Sequence, residues 1–182
     1  PQALVYRRGP ENIKYTGHMR VNCRFALALA HFERVANEVA EEVFGEGHVI
    51  QGIRQLGTYN CRRLRSKPMF QSEHSFGNGI DLASFRIRGV GVVDVKRHWR
   101  TKLGWLQPRR TFLHRLAQRL REEQVFTVVL DADYDRGHTN HFHVDLMALK
   151  EPPATVEAAP AASPETAPAR SSGAGQPGSP SH

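Results

Sequence analysis

The sequence predicts an α+β fold: a mostly antiparallel sheet with two main helices packed against it. Apolar residues recur with a helical period in two separate stretches, and the extended segments come in runs, giving the order αβββαββ and not a regular alternation. Composition sets the domain size. From Glu151 to His182 no aromatic residue occurs and Ala, Pro, Ser and Gly dominate, so 151–182 is expected to be a disordered tail. What precedes it is the size of one domain with one core.

Residues 1–20, broken by Gly9, Pro10 and Gly17, are expected to be irregular, with the domain proper over 21–150. Phe25, Leu29, Phe32, Val35, Val39 and Val43 recur three or four apart, while Glu33, Glu38, Glu41 and Glu42 take the other side; this spacing predicts a helix over 24–44, closed by Gly45. The runs HVIQGIRQL, IDLASFRI and VGVVDVKRHW, separated by glycine or polar turns, predict three strands. A second helix is expected from near Pro108, with Phe112, Leu116 and Leu120 on its apolar face. VFTVVLDAD and HFHVDLMAL complete the sheet. His31 and His114, lying on helices, read as packed or solvated residues, and Trp99 and Trp105 as core residues or as the lining of a groove for an anionic polymer.

The net charge is +7, and Lys96, Arg97, Arg100, Lys102, Arg109, Arg110, Arg115, Arg119 and Arg121 follow one another with no acidic residue between them. Such a stretch suits an anionic partner such as nucleic acid, acidic lipid or an acidic cell-wall polymer, or serves only as a solvated face. No apolar run is long enough to span a membrane. Any signal or anchor is expected upstream of Pro1. The two cysteines, Cys23 and Cys61, suggest a disulfide in an oxidising compartment, worth about 4 kcal/mol by closing a long loop.

The chemistry is concentrated in two segments. HTNHFHVD holds His138, His141 and His143; on a strand, His141 and His143 share one face while Phe142 and Val144 take the other. QSEHSFGNGID places His74 and Asp81 seven apart, with Gly77 and Gly79 allowing a bend between them. Imidazole and carboxylate are the usual ligands of catalytic zinc, which takes three protein ligands and leaves a position for water. His74, Asp81 and one histidine of the downstream pair would complete such a site. Cysteine ligation is disfavoured, because Cys23 and Cys61 lack any CxxC spacing.

Ser72-x-His74-x-x-Gly77-x-Gly79-x-Asp81 resembles the SxHxxGxAxD motif of the zinc peptidases that include D-Ala-D-Ala carboxypeptidases and murein endopeptidases, with Gly79 where alanine is usual. His141-x-His143 resembles their second motif. GTYNCRR, SEHSFGNGIDLASF and HTNHFHVDL together are most similar to bacterial extensin-like C-terminal domains, over about Cys23 to Met147. The resemblance implies a Hedgehog and D-Ala-D-Ala peptidase-like fold, with His74, Asp81 and His143 as Zn²⁺ ligands. It implies His141 as the base, assisted by His138, in place of the glutamate many relatives carry. Arg62 stands where relatives place an oxyanion-stabilising arginine, with Arg63 as the alternative. Ser72 and Asp145 would orient ligand imidazoles or be turn and strand-end residues.

The expected function is a periplasmic or secreted, monomeric zinc peptidase hydrolysing peptidoglycan stem-peptide bonds at D-alanine, as carboxypeptidase or endopeptidase. The alternative is a catalytically silent, zinc-containing cell-wall-binding module. A metal-dependent nuclease ranks below both, because only one carboxylate joins the candidate ligands and no phosphate-cradling loop is present.

Overall fold

The computed structural model describes residues 3–63 and 69–147. The expected tail lies outside the described residues. The chain divides after Lys150 into two units, Pro1–Lys150 and Glu151–His182.

Residues 3–20 are more ordered than their breakers suggest. They carry β1 (Leu4–Val5), β2 (Lys14–Tyr15) and the start of β3 (Arg20–Val21), and they bury Ile13 and Met19. A buried carboxylate holds this segment down: Glu33 accepts from Tyr6 Oη at 3.0 Å, Tyr15 Oη at 3.1 Å and the Glu11 N–H at 3.3 Å. Burial raises the Glu33 pKa, and these hydrogen bonds oppose the rise without cancelling it. Glu33 was expected on the solvated side of the helix; it instead supplies the acceptor that two phenols need.

The first helix, α1, spans Cys23–Phe44, with the Asn22 side chain capping the Phe25 N–H at 2.8 Å and Gly45 ending it at φ 102°. Next come β4 (Ile50–Gln55), a 3₁₀ turn (Glu73–Phe76), β5 (Gly79–Ile87) and β6 (Gly91–Asp94). The run expected as one strand from Val90 to Trp99 breaks at Asp94, whose side chain caps the short helix α2 (Val95–His98) by accepting from the Arg97 N–H. Helix α3 covers Gln107–Glu122, with Pro108 in its first turn, and β7 (Val128–Leu130) and β8 (Phe142–Asp145) follow.

The main sheet runs β2-β4-β5-β8-β7, with β6 also on β5; every pair is antiparallel except β2 with β4. Helices α1 and α3 bring Phe25, Leu29, Phe32, Phe112, Leu116 and Leu120 into one core with Ile80, Leu82, Phe85, Phe142 and Val144 from the sheet. Phe85 meets Phe112 edge-on at 5.5 Å. Trp99 joins this core, stacked at 3.8 Å on His114, whereas Trp105 is 73% exposed. The fold is α+β, as expected.

One irregularity in β5 positions the site. Register shifts between Arg54↔Ser84 and Gln55↔Leu82, which leaves Ala83 as a bulge. Ile80 and Leu82 point into the core before it and Phe85 and Ile87 after it. Asp81, Ser84 and Arg86 therefore share the sheet face away from that core.

Cys23 in the first turn of α1 and Cys61 in the loop before the 3₁₀ turn are both exposed and unbonded. The expected disulfide is absent, and with it the loop-closure stabilisation; the buried core and the Glu33 network hold the described fold.

Candidate metal centre

Local geometry explains how His74 reaches the sheet. Gly77 takes φ 61° after the 3₁₀ turn, its N–H donating to the His74 carbonyl at 3.2 Å. A Cβ there would sit 3.1 Å from Val21 Cα and 3.2 Å from the Asn22 nitrogen, so both conformation and space demand glycine. Gly79 is not part of the bend. It is the first residue of β5, opposite Asp145, and a Cβ at that position would meet Asp145 Cβ at 3.3 Å and His143 Cε1 at 3.5 Å, so alanine fits only if Asp145 gives by a few tenths of an ångström.

Asp81 and His143 are directly opposed on β5 and β8. With His74 they form a tight triangle: His74 Nε2 to Asp81 Oδ1 3.2 Å, His74 Nε2 to His143 Nδ1 3.1 Å, and His143 Nδ1 to Asp81 Oδ1 2.9 Å. Among the described residues this trio is the cluster able to hold a metal ion. A tetrahedral zinc ion with bonds of about 2.0–2.1 Å separates its ligand atoms by about 3.3–3.4 Å. The triangle needs to open by only a few tenths of an ångström, so size and donor type both fit zinc.

The surroundings prepare the ligands. The other ring nitrogen of His143, Nε2, donates to Asp145 Oδ2 at 2.8 Å, leaving Nδ1 for the centre of the triangle. Asp145 is buried, and its Oδ1 accepts from the Met147 N–H at 2.8 Å. Burial alone would raise the Asp81 pKa, but the hydrogen bonds from His143 and His74 outweigh it and hold the carboxyl well below its usual range. Burial likewise opposes the charged form of His143, yet its bonds to Asp145 and Asp81 raise its pKa to about 9.

A family model described as extensin-like protein C-terminus matches residues 2–153. The chain belongs to this extensin-like family. Comparisons with curated proteins and with solved structures returned no significant match.

The remaining candidate residues of this extensin-like domain fall at graded distances from the trio. His141 stands beside it, Nε2 3.5 Å from Asp81 Oδ1, while Nδ1 pairs with Asn140 Oδ1 at 2.8 Å. Burial lowers the His141 pKa, Asp81 opposes that, and the neighbouring imidazoles His138 and His143 reinforce it. His138 lies a layer further out, its ring 5.1 Å from that of His141 and its Nδ1 2.7 Å from Asp135 Oδ1. Arg62 is tied to the 3₁₀ turn through its backbone, donating to Ser75 Oγ at 3.0 Å and accepting from the Ser72 N–H at 3.1 Å. Its exposed guanidinium makes no ion pair with the trio among the described residues. Arg63 forms an isolated bridge with Gln71. Ser72 is buried at the start of the turn, but no hydrogen bond joins it to the trio among the described residues.

Asn78 was not singled out from the sequence and proves central. Its side chain donates to the Leu146 carbonyl at 3.0 Å and Glu73 Oε2 at 2.7 Å, while its Oδ1 accepts from Asn22 at 3.2 Å. It therefore ties the His74 turn, the end of β8 and the cap of α1 together. Its place between Gly77 and Gly79 in the first motif was the available signal.

Proposed function

We propose that this domain is a zinc peptidase that hydrolyses peptidoglycan stem-peptide bonds at D-alanine. The observation that carries the proposal is the convergence of His74 Nε2, Asp81 Oδ1 and His143 Nδ1, with Asp145 behind His143 and His141 alongside. His74, Asp81 and His143 would hold the ion, which when bound supplies Lewis-acid polarisation of the scissile carbonyl and a water with pKa near ~7.

The protein groups would divide the rest of the work. His141, whose pKa burial lowers, turns Nε2 toward the trio, 3.5 Å from Asp81 Oδ1, and that nitrogen would accept a proton from the attacking water and return it to the leaving amine. Asn140 fixes the His141 ring through the other nitrogen. His138, oriented by Asp135, packs beside the His141 ring and would assist by holding it in place. Arg62 is assigned to the developing oxyanion or a substrate carboxylate, because its backbone rides on the same turn as His74. The D-alanyl substrate and a periplasmic or secreted location rest on the motif resemblance.

The test is mass spectrometry of muropeptides incubated with zinc-loaded wild type and His141→Ala, alongside metal content. Expected are loss of D-alanine or of cross-links with wild type, a drop in kcat of about 10²–10⁴ in the variant, and equal bound zinc. Full zinc with no cleavage of any muropeptide by wild type, together with salt-sensitive sedimentation with cell walls, would instead favour a silent wall-binding module.

A further inference from the structure

The anionic partner expected from the net charge needs a surface, and the arginine-rich stretch on the helical layer is partly occupied, with Lys96, Arg97, Lys102 and Arg110 left exposed. Arg115 and Arg119 pair with Glu42, Glu38 and Glu123, Arg121 with Asp131, and Arg100 with Asp133, while Arg109 donates to the Val90 carbonyl. The acids come from α1, the end of α3 and the loop after β7, which is why the stretch looked unpaired in the sequence.

Unpartnered cations lie on the open face of the sheet. Among the described residues, Lys14, Arg86 and Arg88 have exposed side chains that make no hydrogen bond or ion pair. They line a groove of about 830 Å³ floored by Gly52. Register explains its shape. Gly52 on β4 lies between Lys14 on β2 and Arg86 on β5, so a strip of bare backbone is flanked by two cations. Two interstrand spacings separate their strands, about 9.6 Å, a span that both long side chains can close over a carboxylate seated on Gly52. A Cβ on Gly52 would narrow the floor and press on the Lys14 carbonyl at 3.3 Å. The acids at the margins are engaged: Glu11 accepts from Asn37 at 2.9 Å, and Asp94 caps α2 and meets Arg54 at 3.4 Å.

The groove and the metal centre share this face. Because the Ala83 bulge shifts the phase of β5, Arg86 emerges on the same side as Asp81, about 15 Å further along the strand. We infer that the groove is a second binding site, which holds a carboxylate-bearing strand of the wall polymer while a stem peptide of that polymer occupies the metal centre. This inference rests on the proposed function for its ligand. Guanidinium and ammonium groups bind carboxylates in the required way. Nucleic acid fits less well: among the described residues that line the groove Tyr15 is the aromatic one, and it pairs with Ile53 on the core side with its hydroxyl bonded to Glu33, which leaves its ring unsuited to base stacking.

The test is cosedimentation of the protein with purified peptidoglycan sacculi at about 50 mM and about 200 mM NaCl. Combined Lys14→Ala and Arg86→Ala should weaken binding about tenfold at the lower salt and flatten the salt dependence. Bound zinc and cleavage of a short soluble muropeptide should stay at wild-type levels. Lys102→Ala with Arg110→Ala, equal in charge but exposed on the helical side, should leave sedimentation unchanged. Wild-type sedimentation by the groove variant overturns the inference, and so does an equal loss in the control pair. Binding of duplex DNA that is lost in the groove variant, without loss of sacculus binding, also overturns it. If wild type cuts no muropeptide yet the groove variant alone loses the sacculi, the peptidase reading fails and the groove stands.

Discussion

Asp145→Asn separates a metal centre from a mere polar cluster. The Asp145 carboxylate serves two buried donors with separate oxygens: Oδ2 accepts from His143 Nε2 and Oδ1 from the Met147 N–H, each at 2.8 Å. Asparagine has one acceptor oxygen and must point its NH₂ at one of these donors, which leaves a buried N–H unsatisfied at a cost of about 1–3 kcal/mol. If the amide oxygen stays on Met147, His143 loses the anchor that fixes its tautomer. Loss of such a partner typically weakens metal binding 10–100-fold, or about 1.4–2.7 kcal/mol. Zinc affinity would be measured by competition with a chromophoric chelator, and metal-free stability by urea unfolding. The expected result is a zinc Kd raised at least tenfold together with lower metal-free stability. Zinc affinity within about twofold of wild type would refute the assignment of His143 Nδ1 to the metal.

Two further outcomes follow from the same geometry. Gly77→Ala must hold a left-handed φ and push against the backbone of Val21 and Asn22, so it should cost about 1–3 kcal/mol in urea unfolding and reduce zinc bound per chain; unchanged values would show that the turn can be built another way. The second concerns pH. The His143 pKa is raised in the metal-free fold to about 9, so its stabilisation is complete below the unfolded value near ~6.5 and is lost as pH rises through about 9. The Tm difference between metal-free wild type and His143→Ala should therefore shrink between about pH 6.5 and 9. With zinc the wild-type Tm should lose this decline, and zinc uptake in that window should release a proton. A difference that grows with pH would contradict the His143 environment described here.

The candidate site was legible because its residues are locally concentrated. HTNHFHVD lies on one strand, and period-two alternation alone places His143 opposite in sense to Phe142 and Val144, as observed. His74 and Asp81 were legible as a pair for the same reason, a short segment with a glycine hinge. Other features depended on partners remote in sequence. Glu33 looks like a surface charge until Tyr6 and Tyr15 are brought to it, and Arg115 and Arg119 look unpaired until α1 delivers Glu38 and Glu42. Strand ends were also misplaced where a cap intervened, as Asp94 does by starting α2 inside an apolar run. An even cysteine count carried no geometric information, and the two thiols are unbonded.

Local pattern by itself determined the α+β class, the two helices, the apolar faces that meet in the core, the candidate metal-ligand residue types and the resemblance to the family. Those are properties of spacing and composition within one segment, and short-range sterics and burial decide them. Tertiary structure alone decided that His74, Asp81 and His143 converge to within 3.2 Å, that Asp145 stands behind His143, and that Asn78 binds the pieces together. It also paired part of the arginine-rich stretch with acids remote in sequence, and set Lys14 and Arg86 on either side of Gly52 on the open face of the sheet. Strand register and a single bulge at Ala83 made those decisions, and register is a relation between distant segments that neither segment encodes alone.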